Sequence, residues 1–381
     1  MQDFLFHVPG QVILGTDTAT RIGSYAASLG DRAIIITDGT IRDAGYVERV
    51  KHHLERSGIT AIVFDEFDEG SDTEVIERAL GLARASHSRL VIGLGGMRVL
   101  SAARVVAAYA RHTREFREIA EISASASPLG YIEVPTSGRN HVMLRDYCVV
   151  TQAATNQPIT VKLPHGMLNT AIIDPKFAAG IAVKSYCAVL MDTILAAVEG
   201  VLSTRSSNFS DTLLLQAIAT LRESVEQVIA QPSDLRPRAR AAEAGFMCAL
   251  GLSMSSQGIG GAISYSVNSR FGVPKSWAST VMLAYLLDYF EGTRPEKMRR
   301  IAGALGDRPG NEEGQRSMHR AGVAARRLLA RTGLPARLRG LDLSLDDLSA
   351  VADSASDFEM ISFVPVPITS QELYDILKQA Y

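Results

Sequence analysis

The 381-residue sequence has few cysteines, one tryptophan and no large excess of charge of either sign. Its three cysteines, Cys148, Cys187 and Cys248, are far apart and form no CxxC pair. We therefore expect reduced, mostly buried thiols rather than a disulfide framework. The formal net charge of −2 lacks the basic excess that binding to nucleic acid requires, which argues against a nucleic-acid-binding protein.

Long apolar runs and an N-terminal signal are also missing. The opening residues, MQDFLFHVPG, contain no basic region followed by an apolar stretch, so no signal peptide is recognised. The most apolar helical segment carries Asp192 and Glu199, and no run approaches the roughly 18 uncharged apolar residues of a membrane helix. We expect a cytoplasmic protein that does not act at a membrane.

The first part of the chain alternates short β-rich runs with amphipathic helical segments. Inner runs such as AIIIT and LVIG are continuously apolar, which is typical of parallel strands covered on both faces. This alternation predicts a doubly wound parallel sheet. Its predicted strands are Gln11–Leu14, Ala33–Thr37, Ala61–Phe64, Leu90–Gly93, Tyr131–Val134, Cys148–Thr151 and Ala171–Ile173.

After Asp174-Pro175 the pattern changes to long helical segments with almost no strand signal. The sequence therefore predicts two domains, an α/β domain over residues 1–177 and an all-α domain over residues 178–381. The predicted helices are roughly Ser185–Ser203, Ser210–Ile229, Pro237–Gly251, Trp277–Phe290, Pro295–Leu305, Glu312–Thr332, Ser344–Ser354 and Ser370–Ala380.

Short motifs follow one another along nearly the whole chain: FLFHVPGQVILGT, IIITDGTIRDAG, GLGGMRVLSAAR, EVPTSG, TAIIDP and VPVPITSQELYDILKQAY. In this order and spacing they resemble the iron-containing alcohol dehydrogenase family, which is related to glycerol dehydrogenases and dehydroquinate synthases. The resemblance implies a dehydroquinate synthase-like fold with an N-terminal nucleotide-binding domain. It also implies NAD(P)-dependent hydride transfer between an alcohol and an aldehyde or ketone, and it suggests a homodimer.

Gly95 and Gly96 lie between the apolar run RLVIGL and a helical segment. Missing side chains at such a turn let backbone N–H groups and a helix N-terminus approach a pyrophosphate, although a tight turn without ligand is the alternative. Where the resembling family continues with glycine and serine, this chain has Met97 and Arg98. Arg98 could contact a phosphate, whereas Met97 could narrow the phosphate-binding turn and weaken binding.

Three further residues match the cofactor side of the family. Asp38 follows the run AIIIT, where the family places an acid against the adenosine ribose, and a carboxylate there favours NAD over NADP. An Asp that only opens a loop is the alternative for Asp38. Thr136 and Lys162 match positions on the nicotinamide side, and an exposed loop lysine is the alternative for Lys162.

The family holds a divalent metal with an Asp, a His four residues later and two further His. Asp192 stands at the Asp position here, but Ala196, Gly261 and Lys275 stand at the His positions. Of the eight histidines only His319 lies in the helical half, so no three-histidine site can form there. One carboxylate is too little to bind Zn²⁺ or Fe²⁺ tightly, and we predict no metal.

The replaced metal site has two interpretations. In the catalytic one, Lys275, paired with Asp192, polarises a substrate carbonyl, and Tyr265 donates a proton to the developing alkoxide. In the other, Asp192 and Lys275 form a salt bridge that fills a dead site, and Tyr265 is a core residue. The chain would then be an inactive paralogue with a nucleotide-binding or protein-interaction role.

His141 is a further candidate general acid or substrate ligand. It lies in SGRNHVML, where the resembling family has a small, glycine-rich loop. Arg139 and His141 could bind an anionic group of the substrate, and an ordinary surface loop is the alternative. A cyclase or lyase of the dehydroquinate synthase kind is disfavoured, because that chemistry also needs the missing metal.

Overall fold

A computed structural model describes residues 8, 10–67, 72–112, 115–116, 127–307 and 320–381 of the chain. The chain folds into two compact units. The first unit ends at Gly180, and the second runs from Ile181 to Tyr381. The predicted combination of an α/β and an all-α architecture is confirmed.

The first unit is built on a parallel sheet. Its strands are β1 (Gln11–Leu14), β2 (Arg32–Ile36), β3 (Thr60–Phe64), β4 (Leu90–Gly95), β5 (Gly130–Pro135), β6 (Tyr147–Gln152), β7 (Gln157–Lys162) and β8 (Thr170–Ile173). Six of them form one parallel sheet in the order β1-β8-β5-β4-β2-β3. Every residue of β4 is buried, as its continuous apolar run predicts for an inner strand covered on both faces.

The strands β6 and β7 form an antiparallel pair outside this sheet. The predicted strand Cys148–Thr151 is thus present, but it pairs with β7, a strand that was not predicted from the sequence. The run QPITVK of β7 includes a proline and is mostly half-buried or exposed, so it lacks the apolar pattern of an inner strand.

The α-helices among the described residues of this unit are α1 (Ile22–Ala26), α2 (Gly39–Asp43), α3 (Tyr46–Glu55), α4 (Asp72–Ala85) and α5 (Met97–Tyr109). Two glycines of β4 let α5 pack closely against the strand. A Cβ on Gly93 would lie 2.9 Å from the Ala103 Cβ, and one on Gly95 would lie 2.7 Å from the Val99 Cβ. This close packing fixes the N-terminus of α5 at the carboxyl end of β4.

The second unit contains only helices and turns among its described residues. Its helices are α6 (Val183–Leu202), α7 (Asn208–Ala230), α8 (Leu235–Ser253), α9 (Ile259–Phe271), α10 (Lys275–Tyr289), α11 (Pro295–Ala304), α12 (Arg320–Thr332), α13 (Asp347–Ser356) and α14 (Ser370–Ala380). The helix predicted over Glu312–Thr332 begins at Arg320 in the described part, and residues 308–319 lie outside it. Helix α9 was not predicted from the sequence.

Helix α6 lies at the centre of the second unit. It is long and apolar enough to cross a membrane by composition, but 89% of its most apolar window is buried inside the fold. Almost all of its residues pack against other helices, chiefly α7 and α10. Helix α6 is therefore the core helix of this unit, and Asp192 and Glu199 in its inner turns are buried with it.

Candidate functional site

Three of the predicted cofactor positions lie at one edge of the parallel sheet. Asp38 follows β2, Gly95 ends β4 and Thr136 follows β5, and these strands are neighbours in the order β5-β4-β2. The Thr136 N–H donates a hydrogen bond of 3.0 Å to the Gly95 carbonyl. The carboxyl edge of a doubly wound sheet is where such folds bind their ligands, so the fold brings these residues to the expected place.

Gly96 connects β4 to α5 and is open to a ligand. It is the N-cap of α5 in an extended conformation, and a Cβ built on it would meet nothing within 4 Å. The first turn of a helix has N–H groups without intrahelical acceptors, and these attract phosphate. The turn at Gly95 and Gly96 therefore has the backbone geometry of a phosphate site.

Arg98 is engaged by other protein groups. Its Nε donates to Asp72 Oδ1 at 2.5 Å, and its Nη1 donates to the Phe67 carbonyl at 3.0 Å. The same Asp72 accepts the Thr151 N–H at 2.7 Å, so this carboxylate joins α4, α5 and the β6–β7 hairpin. The geometry thus shows a structural role for Arg98.

Asp38 and Lys162 have visible structural contacts as well. Asp38 Oδ1 accepts the Ile41 N–H at 2.9 Å and so caps α2, which is the role that the alternative interpretation gives it. Lys162 is exposed at the end of β7, and its carbonyl accepts the Tyr109 hydroxyl at 2.8 Å. These contacts leave the cofactor roles of both residues as proposals.

The loop after β5 is buried rather than exposed. Residues 138–144 are all buried, with Arg139 8% and His141 1% exposed. The surface-loop alternative for His141 is therefore wrong. One amino group of Arg139 donates to the Met97 sulfur, so the loop contacts the first residue of α5.

Buried Arg104 holds this loop in place. Arg104 is 1% exposed. Its guanidinium donates to the carbonyl oxygens of Val142 and Arg145, and to that of Tyr147 at 3.3 Å. An irregular buried loop needs partners for its backbone polar groups, and the five donors of an arginine supply several from one side chain.

Glu133 of β5 completes the buried polar network. It accepts the Asn140 amide at 2.7 Å and the Tyr131 hydroxyl at 3.0 Å. Burial raises the pKa of the Glu133 carboxyl, and the nearby Arg104 charge and these hydrogen bonds oppose that rise. The network fixes the start of the loop that carries Arg139 and His141.

The second unit brings together Asp192 of α6, Tyr265 of α9 and Lys275 of α10. The Lys275 Nζ lies 2.7 Å from Asp192 Oδ1, and the two side chains are 11% and 1% exposed. The same Nζ lies 4.8 Å from the centroid of the Tyr265 ring, within the range of a cation–π contact. Tyr265 is 8% exposed and also packs against Phe358, with ring centroids 5.9 Å apart.

These residues do not fit the metal of the family. Asp192 is the one carboxylate of the set, and it already binds an ammonium that would repel a cation. A Cβ on Gly261 would meet the Gln257 Cβ and Nε2 at 3.2 Å and the Met360 sulfur at 3.3 Å. The space of a histidine at position 261 is thus partly taken, and the described residues hold no cluster of three metal-ligating side chains.

Glu199 is a buried acid next to this cluster. Its carboxylate accepts the N–H groups of Gly260 at 2.5 Å and Gly261 at 3.1 Å, at the start of α9. Burial raises the pKa of Glu199 to about 7, opposed by hydrogen bonds from Gly258 and these two glycines and by the Lys275 charge. Glu199 therefore anchors the helix that carries Tyr265.

Glu199 was not predicted from the sequence as a residue of this site. Glu199 lies seven residues after Asp192, which places both acids on one face of an otherwise apolar helix and could have marked it.

Comparison with known proteins agrees with this architecture. The family model "Iron-containing alcohol dehydrogenase" matches residues 9–175, and "Fe-containing alcohol dehydrogenase family, C-terminal" matches residues 187–381. The 1,3-propanediol dehydrogenase of Citrobacter freundii is 24% identical over 100% of this chain and 99% of its own. A crystal structure of 1,3-propanediol oxidoreductase superposes with a TM-score of 0.92 at 23% identity, covering all of both chains.

A third similar protein, sulfoacetaldehyde reductase from Bifidobacterium kashiwanohense, was solved in complex with NAD⁺. It has a TM-score of 0.85 and 18% identity, and the match covers 100% of this chain and 99% of that one. Because the two family models span nearly the whole sequence, the chain belongs to the iron-containing alcohol dehydrogenase family. The family predicted from the sequence is confirmed, and with it the oxidoreductase class.

Proposed function

We propose that this protein is an NAD-dependent oxidoreductase that interconverts an alcohol and an aldehyde or ketone without a metal ion. Family membership supports the hydride-transfer chemistry. The observation that carries metal independence is the buried pair of Lys275 and Asp192 beside Tyr265, at positions where the family has metal ligands and a second histidine.

In the direction of reduction, Lys275 polarises the substrate carbonyl. Its ammonium would sit near the carbonyl oxygen and stabilise the negative charge that develops there, as a preorganised cation does in a buried site. Asp192 holds the ammonium in place through the 2.7 Å contact. The hydroxyl of Tyr265 then gives its proton to the alkoxide and regains one from solvent. Bound NADH supplies the hydride.

The cofactor side relies mainly on backbone groups. The open turn at Gly96 and the N-terminus of α5 are suited to a pyrophosphate, and Thr136 lies on the neighbouring strand end. Asp38 supports the preference for NAD over NADP, because a carboxylate repels a 2′-phosphate. The similar sulfoacetaldehyde reductase was solved with NAD⁺, which supports the same choice and makes an anionic substrate group chemically reasonable.

One observation favours the second candidate, an inactive paralogue. Arg139 donates a hydrogen bond to the Met97 sulfur, so two large side chains meet at the first residue of α5. If they occupy the place of the cofactor phosphates, the chain would bind no dinucleotide. We also propose a cytoplasmic location, supported by three buried thiols, and a homodimer by analogy with the family.

A titration of the EDTA-dialysed protein with NADH and separately with NADPH tests the proposal. We expect micromolar NADH binding, seen as a change in nicotinamide fluorescence, and NADH-dependent aldehyde reduction that added EDTA does not inhibit. Tyr265→Phe should retain NADH binding and lose turnover, since it removes only the phenolic proton donor. Absence of NADH binding at millimolar concentration, or recovery of activity only on adding Fe²⁺ or Zn²⁺, would refute the proposal.

A further inference from the structure

We infer that the second unit contains a binding site for a phosphate group, apart from the residues of the proposed reaction. The site is a cavity of about 190 Å³ between α7, the turn after α11, and α12. The residues proposed to act on the substrate, Asp192, Tyr265 and Lys275, do not line this cavity. The inference therefore does not rest on the proposed function.

The walls of the cavity carry more positive than negative side chains among the described residues. Arg222 of α7 and two arginines of α12, Arg327 and Arg331, line it. Two acids, Glu226 and Asp307, line it as well. Whether the cavity attracts an anion therefore depends on how far these acids are already neutralised by the protein.

Both acids have basic partners. Glu226 lies 3.2 Å from Arg222 Nη1 through one oxygen and 2.8 Å from Arg331 Nη1 through the other. Asp307 Oδ2 lies 2.5 Å from the Nε of Arg320, which does not line the cavity. Because Arg320 neutralises Asp307 from outside, one glutamate remains against three arginines, and the cavity keeps a positive charge.

Arg327 is the arginine of this set without an acidic partner. It is exposed, and its guanidinium forms no ion pair with the residues that the structure describes. Arg327 and Arg331 lie four residues apart on α12, a spacing at which like charges repel. An anion in the cavity would replace this repulsion by charge-assisted hydrogen bonds.

Arg222 supplies a fixed cation on the opposite wall. Its Nη1 and Nη2 donate to Glu226 at 3.2 Å and Glu223 at 3.3 Å, which holds the guanidinium in one orientation. Gly306, another residue of the cavity wall, has a φ of +88°, and a Cβ built on it would lie 3.4 Å from Arg222 Nε. The missing side chain leaves the cavity open beside this guanidinium.

The size of the cavity and the number of its donors favour phosphate over a simple carboxylate. The volume is several times the share of about 30 Å³ that a water molecule takes in the liquid, so an ion of several heavy atoms fits. Three guanidinium groups offer more N–H donors than one carboxylate accepts. A phosphate group has more acceptor oxygens and nearly two negative charges, and its geometry suits the planar guanidinium.

Calorimetric titration of the whole protein with sodium phosphate tests the inference. The titration is run at about pH 8 and a constant ionic strength of about 0.15 M, so that general screening does not change. We expect a Kd of about 1 mM or tighter for the wild type and at least a roughly tenfold higher Kd for Arg327→Gln. Arg327→Lys keeps the charge without the planar set of donors and should give a value in between.

Arg339→Gln is the matched control, because Arg339 is also exposed in the second unit but does not line the cavity. Its phosphate Kd should stay within about twofold of the wild type. Without phosphate, Arg327→Gln should keep the wild-type Tm, since the residue has no acidic partner to lose. With phosphate, the Tm of Arg327→Gln should rise less than that of the wild type.

Absence of phosphate binding at about 50 mM would overturn the inference, as would an equal loss of affinity in Arg327→Gln and Arg339→Gln. Loss of phosphate binding on saturation with NADH would also overturn it, because the ion would then compete for the turn at Gly96. A parallel titration with glycerol 3-phosphate distinguishes two sources of the group. Tighter binding of the ester assigns the site to a phosphorylated metabolite, and tighter binding of inorganic phosphate assigns it to the free ion.

Discussion

The carboxyl edge of the parallel sheet and the cluster around Asp192 have both departed from the family pattern, but in different ways. At the sheet edge the side chains differ, as at Met97 and Arg98, while the turn at Gly96 keeps an open backbone. In the cluster the side chains were the ligands, and their replacements bring a cation to the remaining carboxylate. A site made of backbone groups tolerates side-chain replacement, whereas a site made of side chains changes its chemistry.

The side chains that differ from the family pattern also have different kinds of partner in the two regions. Arg98 and Arg104 bind protein groups, a carboxylate and backbone carbonyls, and thereby stabilise the first unit. Lys275 binds Asp192 and at the same time lies over the Tyr265 ring, so it has a structural partner as well as the chemical role that we propose for it. The comparison predicts large functional effects in the cluster and mainly structural effects at the sheet edge.

Loss of the Lys275 charge should have the largest effect. Lys275→Met removes the ammonium and leaves Asp192 buried without its charge partner, so we expect a loss of roughly 3–5 kcal/mol in unfolding free energy. Turnover should fall by about 10²–10³-fold, as for loss of a preorganised electrostatic donor. Urea unfolding and NADH oxidation rates measure the two effects.

The double variant Lys275→Met with Asp192→Asn is the matched control. It should recover most of the stability, because no charge is left buried, and none of the turnover. Recovery of both stability and turnover would mean that Lys275 and Asp192 have only a structural role. The proposed functional difference between the cluster and the sheet edge would then be wrong.

Replacement of Arg104 should have the next largest effect, on stability. Arg104→Met removes the donors to three loop carbonyls, of which that of Val142 is buried, and the buried charge near Glu133, so we expect a loss of roughly 3–5 kcal/mol in unfolding free energy. Arg104→Lys keeps the positive charge but loses the several N–H donors of the guanidinium. Its unfolding free energy should therefore lie between those of the wild type and Arg104→Met. The ranking is measured by urea unfolding, and a lysine variant as weak as the methionine one would show that charge is unimportant here.

Glu199 should make stability depend on pH. The unfolded carboxyl loses its proton near the ordinary pKa of 4.5, but the folded one keeps it up to about 7. The folded state therefore binds more protons between these values, and stability falls as the pH rises through them. Relative to Glu199→Gln, the wild type should lose up to about 3 kcal/mol of unfolding free energy between about pH 4.5 and about pH 8. A wild-type-minus-variant difference that stays constant over this range would contradict the raised pKa.

Arg98→Ala should have the smallest effect. The Arg98 side chain is 46% exposed, and its partner Asp72 also accepts the Thr151 N–H, so the loss should stay within about 1 kcal/mol. The NADH Kd should change by less than about threefold, because the guanidinium is held by Asp72 rather than by a phosphate. A tenfold increase in the NADH Kd would instead support the contact between Arg98 and a cofactor phosphate that the sequence suggested.

Much of the fold could be predicted because local patterns and tertiary structure agree. The apolar runs of β2 and β4 and the periodic segments of α6, α7 and α8 lie close to their predicted ranges. Helix α9 was missed because its run GGAISYSVNS is rich in glycine and serine, which are poor helix formers. Its burial among neighbouring helices and its anchoring by Glu199 override that local preference.

The candidate site was only partly predictable. The pairing of Asp192 with Lys275, 83 residues apart, was suggested by the family pattern. The contacts of Arg104 with the loop carbonyls and of Glu199 with α9 join segments that no local pattern relates. The burial of His141 was likewise not visible, because the polar run around it has the composition of a surface loop.

The contact between Lys275 and Asp192 also constrains the order in which such a protein can change by single substitutions. A metal-binding ancestor that lost one histidine would leave the buried Asp192 with a weakly held ion, and a lysine at position 275 is the change that neutralises it. In the reverse direction, replacing Lys275 by histidine alone would leave the acid unbalanced before any metal could bind. Recovering the metal would require simultaneous changes at positions 196, 261 and 275, as well as movement of Gln257 and Met360. In the proposed metal-free protein, the buried pair of Lys275 and Asp192 would therefore oppose a stepwise return to a metal site.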